Sequence, residues 1–180
     1  MAALVEAAMT RPSPSATRAS RKPVSAEERL RQLAFTLPPP VDPEKLDAAF
    51  VPVLVVGDMA YVSGHVSSHS GEGKQIKGKL GKDLTEEEGY KAAELCALGC
   101  LASLRDKIGS LDKVEQIVRV IGFVNSDPAF ERQPWVVNGA SHLLVKVFGD
   151  KGKHSRCAIG VAALPLNFAV EVEMLVRIRT

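Results

Sequence analysis

The sequence predicts an α+β fold, in which a mixed sheet of about six strands carries two helices on one face. Two segments with apolar residues at helical spacing, beginning at Thr85 and Pro134, predict the helices. Strands are predicted where Val and Ile cluster, over residues 51–56, 59–63, 114–124, 157–163 and 169–178. With 180 residues, the chain is long enough for one domain with a sizeable core.

The first 24 residues carry a net charge of +3 and are rich in Ala, Ser, Thr, Arg and Pro. This composition fits a mitochondrial transit peptide or a flexible basic tail, so we expect a mitochondrial or cytoplasmic protein. The remaining residues carry a net charge of −1, which gives little electrostatic basis for binding nucleic acid. No apolar run approaches the roughly 20 residues that a membrane helix needs. The three cysteines cannot all pair within one chain, which favours a reducing compartment.

Residues 25–49 precede the expected domain. Ser25 and Glu28 form a candidate capping box that opens a short helix to about Ala34. The run Leu37–Pro40 ends this helix and predicts a stiff connector. The folded domain is therefore expected over residues 50–180.

Turn and cap residues delimit the elements of this domain. Gly57-Asp58 predicts a tight turn between the first two strands, and residues 67–82 predict a loop with a brief strand near Ile76. Thr85 and Glu88 predict a capping box for the first long helix. Gly109 and Gly149 are expected to end the two helices.

The last strand alternates strictly. Val170, Val172 and Met174 are predicted to face the helices, while Glu171, Glu173 and Leu175 face the other way. Because this second face is partly apolar, we expect another copy of the chain to cover it.

Arg156 stands at the start of an apolar strand, a suitable place for gripping a carboxylate bidentately. A hydrogen bond to a charged group contributes about 1.5–3 kcal/mol, enough to orient a small acid. Glu171 and Glu173 lie about 7 Å apart on one strand face, so one can act while the other pairs with a cation. The alternatives are a structural ion pair between Arg156 and one of these glutamates, and a merely solvated outer face.

Two further residues are candidates for lining a pocket. His65 follows Ser63-Gly64 at a strand end, and Asn138 precedes Gly139 inside a helix, an unfavourable pair that can mark a site. The cysteines and histidines show no spacing that indicates a metal centre.

These residues resemble the Rid/YjgF family, also called endoribonuclease L-PSP proteins, over about residues 50–178. The resemblance is carried by four segments: Gly57–Gly64, Gly109–Val114, Asn138, and Arg156–Glu173 with its Ala-Leu-Pro turn. It implies a chorismate-mutase-like fold and a homotrimer with pockets between subunits.

The resemblance also implies a reaction. Members hydrolyse reactive enamines and imines, such as 2-aminoacrylate and 2-iminopropionate, to a 2-keto acid and ammonia, without a cofactor or metal. Arg156 matches the arginine that binds the substrate carboxylate, and Glu171 matches the glutamate that positions the attacking water. Four positions match pocket residues: Ser63, Gly64, Asn138 and, where the deaminases have tyrosine, Phe50.

Besides Phe50, this chain departs from the deaminase pattern at three further positions. Ala158 replaces a common cysteine, Gly160 replaces Glu or Gln, and His65 replaces a common glutamine. Three hypotheses therefore stay open: an imine deaminase, a non-catalytic protein that binds a small carboxylate, and the endoribonuclease of the family label. We find no histidine pair or basic aromatic patch that favours the last.

Overall fold

The computed structural model describes residues 24–69 and 74–180. A short helix α1 (Ala26–Gln32) precedes the sheet, and its first turn is capped by Ser25, whose Oγ accepts from the Glu28 amide at 3.2 Å. The predicted transit peptide or basic tail falls almost wholly on residues 1–23, outside the described part. Within that part, no helix is long and apolar enough to cross a membrane.

The main sheet is mixed, as predicted, and it has five strands where about six were predicted. Its members in chain order are β1 (Val53–Val56), β2 (Met59–Val66), β5 (Val114–Asn125), β6 (Ser155–Val161) and β7 (Val170–Ile178). Their spatial order is β1-β2-β7-β5-β6, and only the β5–β6 pair is parallel. The brief strand expected in the 67–82 loop is instead part of a separate hairpin, β3 (Ser68–His69) with β4 (Lys74–Gln75).

Two long helices, α2 (Glu86–Ile108) and α3 (Gln133–Phe148), pack on one face of the sheet. The predicted capping box of α2 is confirmed, because Thr85 Oγ1 accepts from the Glu88 amide and Glu88 accepts from the Thr85 amide. Gly109 and Gly149 end the helices, both with positive φ. Such a backbone is readily adopted by glycine, which has no Cβ.

The alternation predicted for β7 is also confirmed. Val170, Val172 and Met174 are buried beneath the helices, whereas Glu171, Glu173 and Leu175 are half-buried on the other side. We call this other side the open face. Cross-strand pairing gives the open face the following apolar side chains: Leu54, Tyr61, Ile121, Phe123, Ile159 and Leu175.

A β-bulge interrupts the pairing of β2 with β7. Val62 pairs with Met174 and His65 with Val172, so two residues, Ser63 and Gly64, stand opposite Glu173 alone. The extra residue shifts the alternation, and both Val62 and His65 consequently point towards the helices.

Candidate carboxylate and water sites

Arg156 lies on β6, an edge strand, where it pairs with Val120 of β5. Val120 is buried beneath the helices, so Arg156 points to the same side and meets α3. Its Nη1 donates to Asn138 Oδ1 at 2.7 Å and to Ser141 Oγ at 3.1 Å. The structure thus brings together two of the predicted residues, Arg156 and Asn138, and adds Ser141, which the sequence reasoning missed.

Ser141 is itself held by a histidine. His154 Nδ1 lies 2.6 Å from the Gly152 carbonyl and must donate to it, which leaves Nε2 as an acceptor in the neutral ring. The Ser141 hydroxyl, 3.0 Å from Nε2, therefore donates to His154 and accepts from Arg156. Burial lowers the pKa of His154; the bond to Gly152 partly opposes this, and the charge of Arg156 adds a smaller lowering. The neutral ring is thus favoured.

These contacts leave one edge of the guanidinium available. Nη1 is bound to α3, while neither Nε nor Nη2 donates to any residue that the structure describes. Nε and Nη2 form the side-on fork that matches a carboxylate. Partial burial lowers the pKa of Arg156, but an arginine remains charged in a protein. A fixed, charged fork is therefore presented at the sheet edge.

Glu171 occupies a different environment, on the open face. Its carboxylate lies directly over Gly64, since a Cβ on Gly64 would overlap Oε1 and come within 2.9 Å of Cδ. Burial, and then the like charge of Glu173, raise the pKa of Glu171. Neither an ion pair nor a hydrogen bond joins this carboxylate to a side chain in the described part of the chain. Such a raised pKa brings a carboxyl group closer to the range in which it can exchange protons at neutral pH.

Arg156 and Glu171 lie on opposite faces of the sheet. Arg156 shares the helix side with Val120, whereas Glu171 pairs with Phe123 on the open face. The alternative of a structural ion pair is not realised, because Arg156 forms no salt bridge with either Glu171 or Glu173. A small ligand of one chain cannot contact both groups through the sheet.

The open face carries a cleft of about 540 Å³ next to the bulge. Phe50 and Ser63 both line it, together with Arg119 and Glu173. The Ser63 hydroxyl donates to the Val51 carbonyl at 2.8 Å and so fixes the chain just after Phe50. Three of the predicted pocket residues, Phe50, Ser63 and Gly64, therefore cluster on the same face as Glu171.

His65 is placed elsewhere. It is 4% exposed, it points towards α2, and both of its ring nitrogens have protein partners. The bulge is the physical reason, since without it His65 would alternate to the open face. We therefore leave His65 out of the proposed substrate contacts.

Two of the positions that depart from the deaminase pattern, Ala158 and Gly160, follow Arg156 on β6. Ala158 packs partly buried against the core. A Cβ on Gly160 would lie 2.7 Å from Ser126 Oγ and 2.9 Å from Gln133 Nε2. The space above Gly160 is thus occupied by an amide and a hydroxyl from distant parts of the chain. No local sequence pattern predicts this arrangement.

Comparison with known proteins decides the family. Residues 31–178 match the family model described as "YjgF/chorismate_mutase-like, putative endoribonuclease". The chain belongs to the YjgF/chorismate mutase-like family.

Individual relatives agree with this assignment. The YjgF-like chain is 40% identical over 150 residues to the protein TCP17 of Trypanosoma cruzi, covering 83% of this chain and 91% of that one. It is 39% identical to the Agrobacterium tumefaciens protein Atu1372, of unknown function, with a TM-score of 0.77 and coverage of 86% and 94%. A Shewanella oneidensis protein with the same endoribonuclease description is 31% identical, with a TM-score of 0.79 and coverage of 86% and 99%.

Proposed function

We propose that this chain is a deaminase that hydrolyses small 2-imino or 2-enamino acids to 2-keto acids and ammonia. The observation that carries the proposal is the Arg156 guanidinium, held to α3 through Nη1 with its Nε–Nη2 fork unoccupied by any described residue. This arrangement suits a carboxylate that must be held in one orientation while the neighbouring carbon reacts. The family membership supports the same class of small-molecule chemistry.

In the proposed reaction, water adds to the C=N carbon of the imino acid and the C–N bond then breaks. The nitrogen leaves as ammonia, and a 2-keto acid remains, so no oxidant, metal or cofactor is consumed. A 2-enamino acid follows the same route after it tautomerises to the imine. Glu171 is proposed to carry two protons to the nitrogen in turn. The first comes from the attacking water as its oxygen bonds to the carbon, and the second is the hydroxyl proton of the resulting carbinolamine, which moves as the C=O bond forms and ammonia leaves. Its raised pKa suits a group that must both accept and donate a proton near neutral pH.

Because Arg156 and Glu171 face away from each other within one chain, we propose that each site is shared between two copies. The apolar residues of the open face, among them Leu54 at 52% exposed and Tyr61 at 50%, support burial against a further copy. A homotrimer with three such sites is the arrangement we propose. Burial between copies would also exclude bulk water and strengthen the charge interactions.

Mixing two inactive variants tests the shared site. Arg156→Ala and Glu171→Gln chains are each expected to release ammonia no faster than buffer alone when a dehydratase supplies 2-aminoacrylate. Refolding them together at equal amounts should restore about a quarter of the sites, because some then combine an intact arginine with an intact glutamate. Wild-type protein with no gain over buffer would refute the deaminase, and inactive mixed oligomers would refute the shared site.

A second candidate is a non-catalytic protein that binds a small carboxylate. Ala158 and Gly160 favour it, because the deaminases carry functional groups at these two positions. Here the side chain of Ala158 is apolar, and the space above Gly160 is filled by side chains from elsewhere in the chain. Calorimetry with pyruvate distinguishes the two candidates. Binding that is lost in Arg156→Ala, without turnover of any imine, would assign the binding role. Cleavage of RNA that disappears in the same variant would instead assign the ribonuclease of the family label.

A further inference from the structure

We propose that His65 is a positioning residue, which holds the Ser63-Gly64 bulge beneath the Glu171 carboxylate. Through Ser103, His65 also links that bulge to Val41, the residue that follows the Leu37–Pro40 connector. The proposal rests on the proposed function only for its activity readout. Its structural part concerns the placement of Glu171 in the folded chain.

The hydrogen bonds around His65 form a continuous series with assigned donors. The Val41 amide donates to Ser103 Oγ at 3.3 Å, and Ser103 Oγ lies 2.8 Å from His65 Nε2. His65 Nδ1 lies 2.7 Å from the Ser63 carbonyl, to which it can only donate. The neutral ring therefore accepts from Ser103 at Nε2, and the series runs in one direction from Val41 to Ser63. Burial lowers the pKa of His65, which keeps the ring neutral.

Helix α2 is shaped to receive this ring. A Cβ on Gly99 would lie 3.2 Å from His65 Cδ2, so the glycine leaves room for the imidazole. Ser103 lies one helical turn further along the same face of α2 and supplies the hydroxyl. A histidine that is 4% exposed, with both nitrogens bonded and a glycine beneath its ring, has a defined orientation.

The bulge transmits this orientation to Glu171. His65 binds the carbonyl of Ser63, the next residue is Gly64, and the Glu171 carboxylate lies on Gly64. Ser63 is bound a second time through its hydroxyl, to Val51. If the His65 bond to Ser63 is lost, the bulge can relax, water gains access to the carboxylate, and the burial that raises the Glu171 pKa decreases.

The test separates the two ends of the series. The amide of His65→Asn lies where Nδ1 was and can still donate to the Ser63 carbonyl, but it is too short to reach Ser103. The amide of His65→Gln lies where Nε2 was, so it keeps the bond to Ser103 and loses the bond to Ser63. His65→Leu removes both contacts. The matched control is Val176→Ala, a buried position of the same sheet that lies away from the bulge.

The principal measurement is the Glu171 pKa in folded protein, from carboxyl ¹³C NMR, with the signal assigned by its loss in Glu171→Gln. We expect His65→Leu and His65→Gln to lower this pKa by about half a unit or more, and His65→Asn and Val176→Ala to leave it unchanged. If the leucine variant does not fold, the asparagine and glutamine variants decide the matter. An unchanged pKa in folded His65→Gln, or an equal shift in Val176→Ala, would overturn the proposal.

Two further readouts extend the test. Ser103→Ala removes the hydroxyl that binds the Val41 amide and His65 Nε2, but it leaves the bond from His65 to Ser63. It should therefore accelerate hydrogen exchange at the Val41 amide while the Glu171 pKa stays unchanged. His65→Gln should lower kcat for ammonia release about tenfold with KM retained, since Arg156 is untouched. Inactive wild-type protein would refute the proposed function, and the NMR comparison would still decide the role of His65.

Discussion

Substituting Gly64 by alanine should separate stability from activity at the candidate site. The added Cβ would overlap Glu171 Oε1 and lie 2.9 Å from Cδ, where ordinary contacts begin near 3.4 Å. The carboxylate must therefore move by at least about 1 Å. The obstacle is the far end of a flexible side chain, so we expect a loss of only about 1 kcal/mol in the free energy of unfolding.

The same displacement should be far more costly for catalysis. A reacting group misplaced by about 1 Å loses on the order of 100-fold in rate, so Gly64→Ala should reduce ammonia release by about that factor. Urea unfolding and the dehydratase-coupled assay measure the two effects. In a Glu171→Ala background the clash vanishes, and Gly64→Ala should then cost no stability. Full activity in Gly64→Ala, or a stability loss that persists in the double variant, would refute this reasoning.

Three further perturbations test the charged groups. Arg156→Lys should weaken pyruvate binding about tenfold or more in calorimetry, because an ammonium cannot reproduce the fork; retained affinity would contradict the bidentate grip. Ser141→Ala should weaken the same binding about threefold to tenfold, because it removes one of the two hydrogen bonds that hold Nη1, with the unfolding midpoint nearly unchanged as the control. Glu173→Gln removes the like charge that helps to raise the Glu171 pKa, so Glu171 should ionise at lower pH. If Glu171 acts as the base, the acid limb of the pH–rate profile should move to lower pH; an unmoved limb would exclude this coupling.

Local sequence signals predicted the regular elements well. The Thr85–Glu88 capping box could be predicted because its two residues are always three apart in the sequence. The alternation of β7 could be predicted because every second residue of a strand faces the same side. The mixed sheet and the helices on one face followed from these elements, although the sheet has five strands where about six were predicted. The hairpin β3–β4 forms a small sheet of its own, a tertiary arrangement that its short segments do not encode.

The candidate site was predictable only in part. The resemblance named Arg156 and Asn138 separately, and the structure shows that they are in contact. The opposite faces of Arg156 and Glu171 follow from strand register, which pairs residues distant in sequence. The position of His65 was missed because a bulge adds one residue and reverses the alternation after it. Ser141 gave no signal of its own, since a serine inside a helix is common and its partners lie on another element.

The position of β7 in the centre of the sheet has a consequence for biosynthesis. The pairs β1–β2 and β5–β6 are both translated before β7, and β7 is the strand that joins them. Until β7 emerges from the ribosome, the nascent chain holds two half-sheets with unpaired inner edges and an uncovered helix layer. Such edges are the surfaces at which partly folded chains associate wrongly. Ribosome stalling or a premature stop before Val170 should therefore yield aggregates and chaperone-bound chains rather than a smaller folded domain.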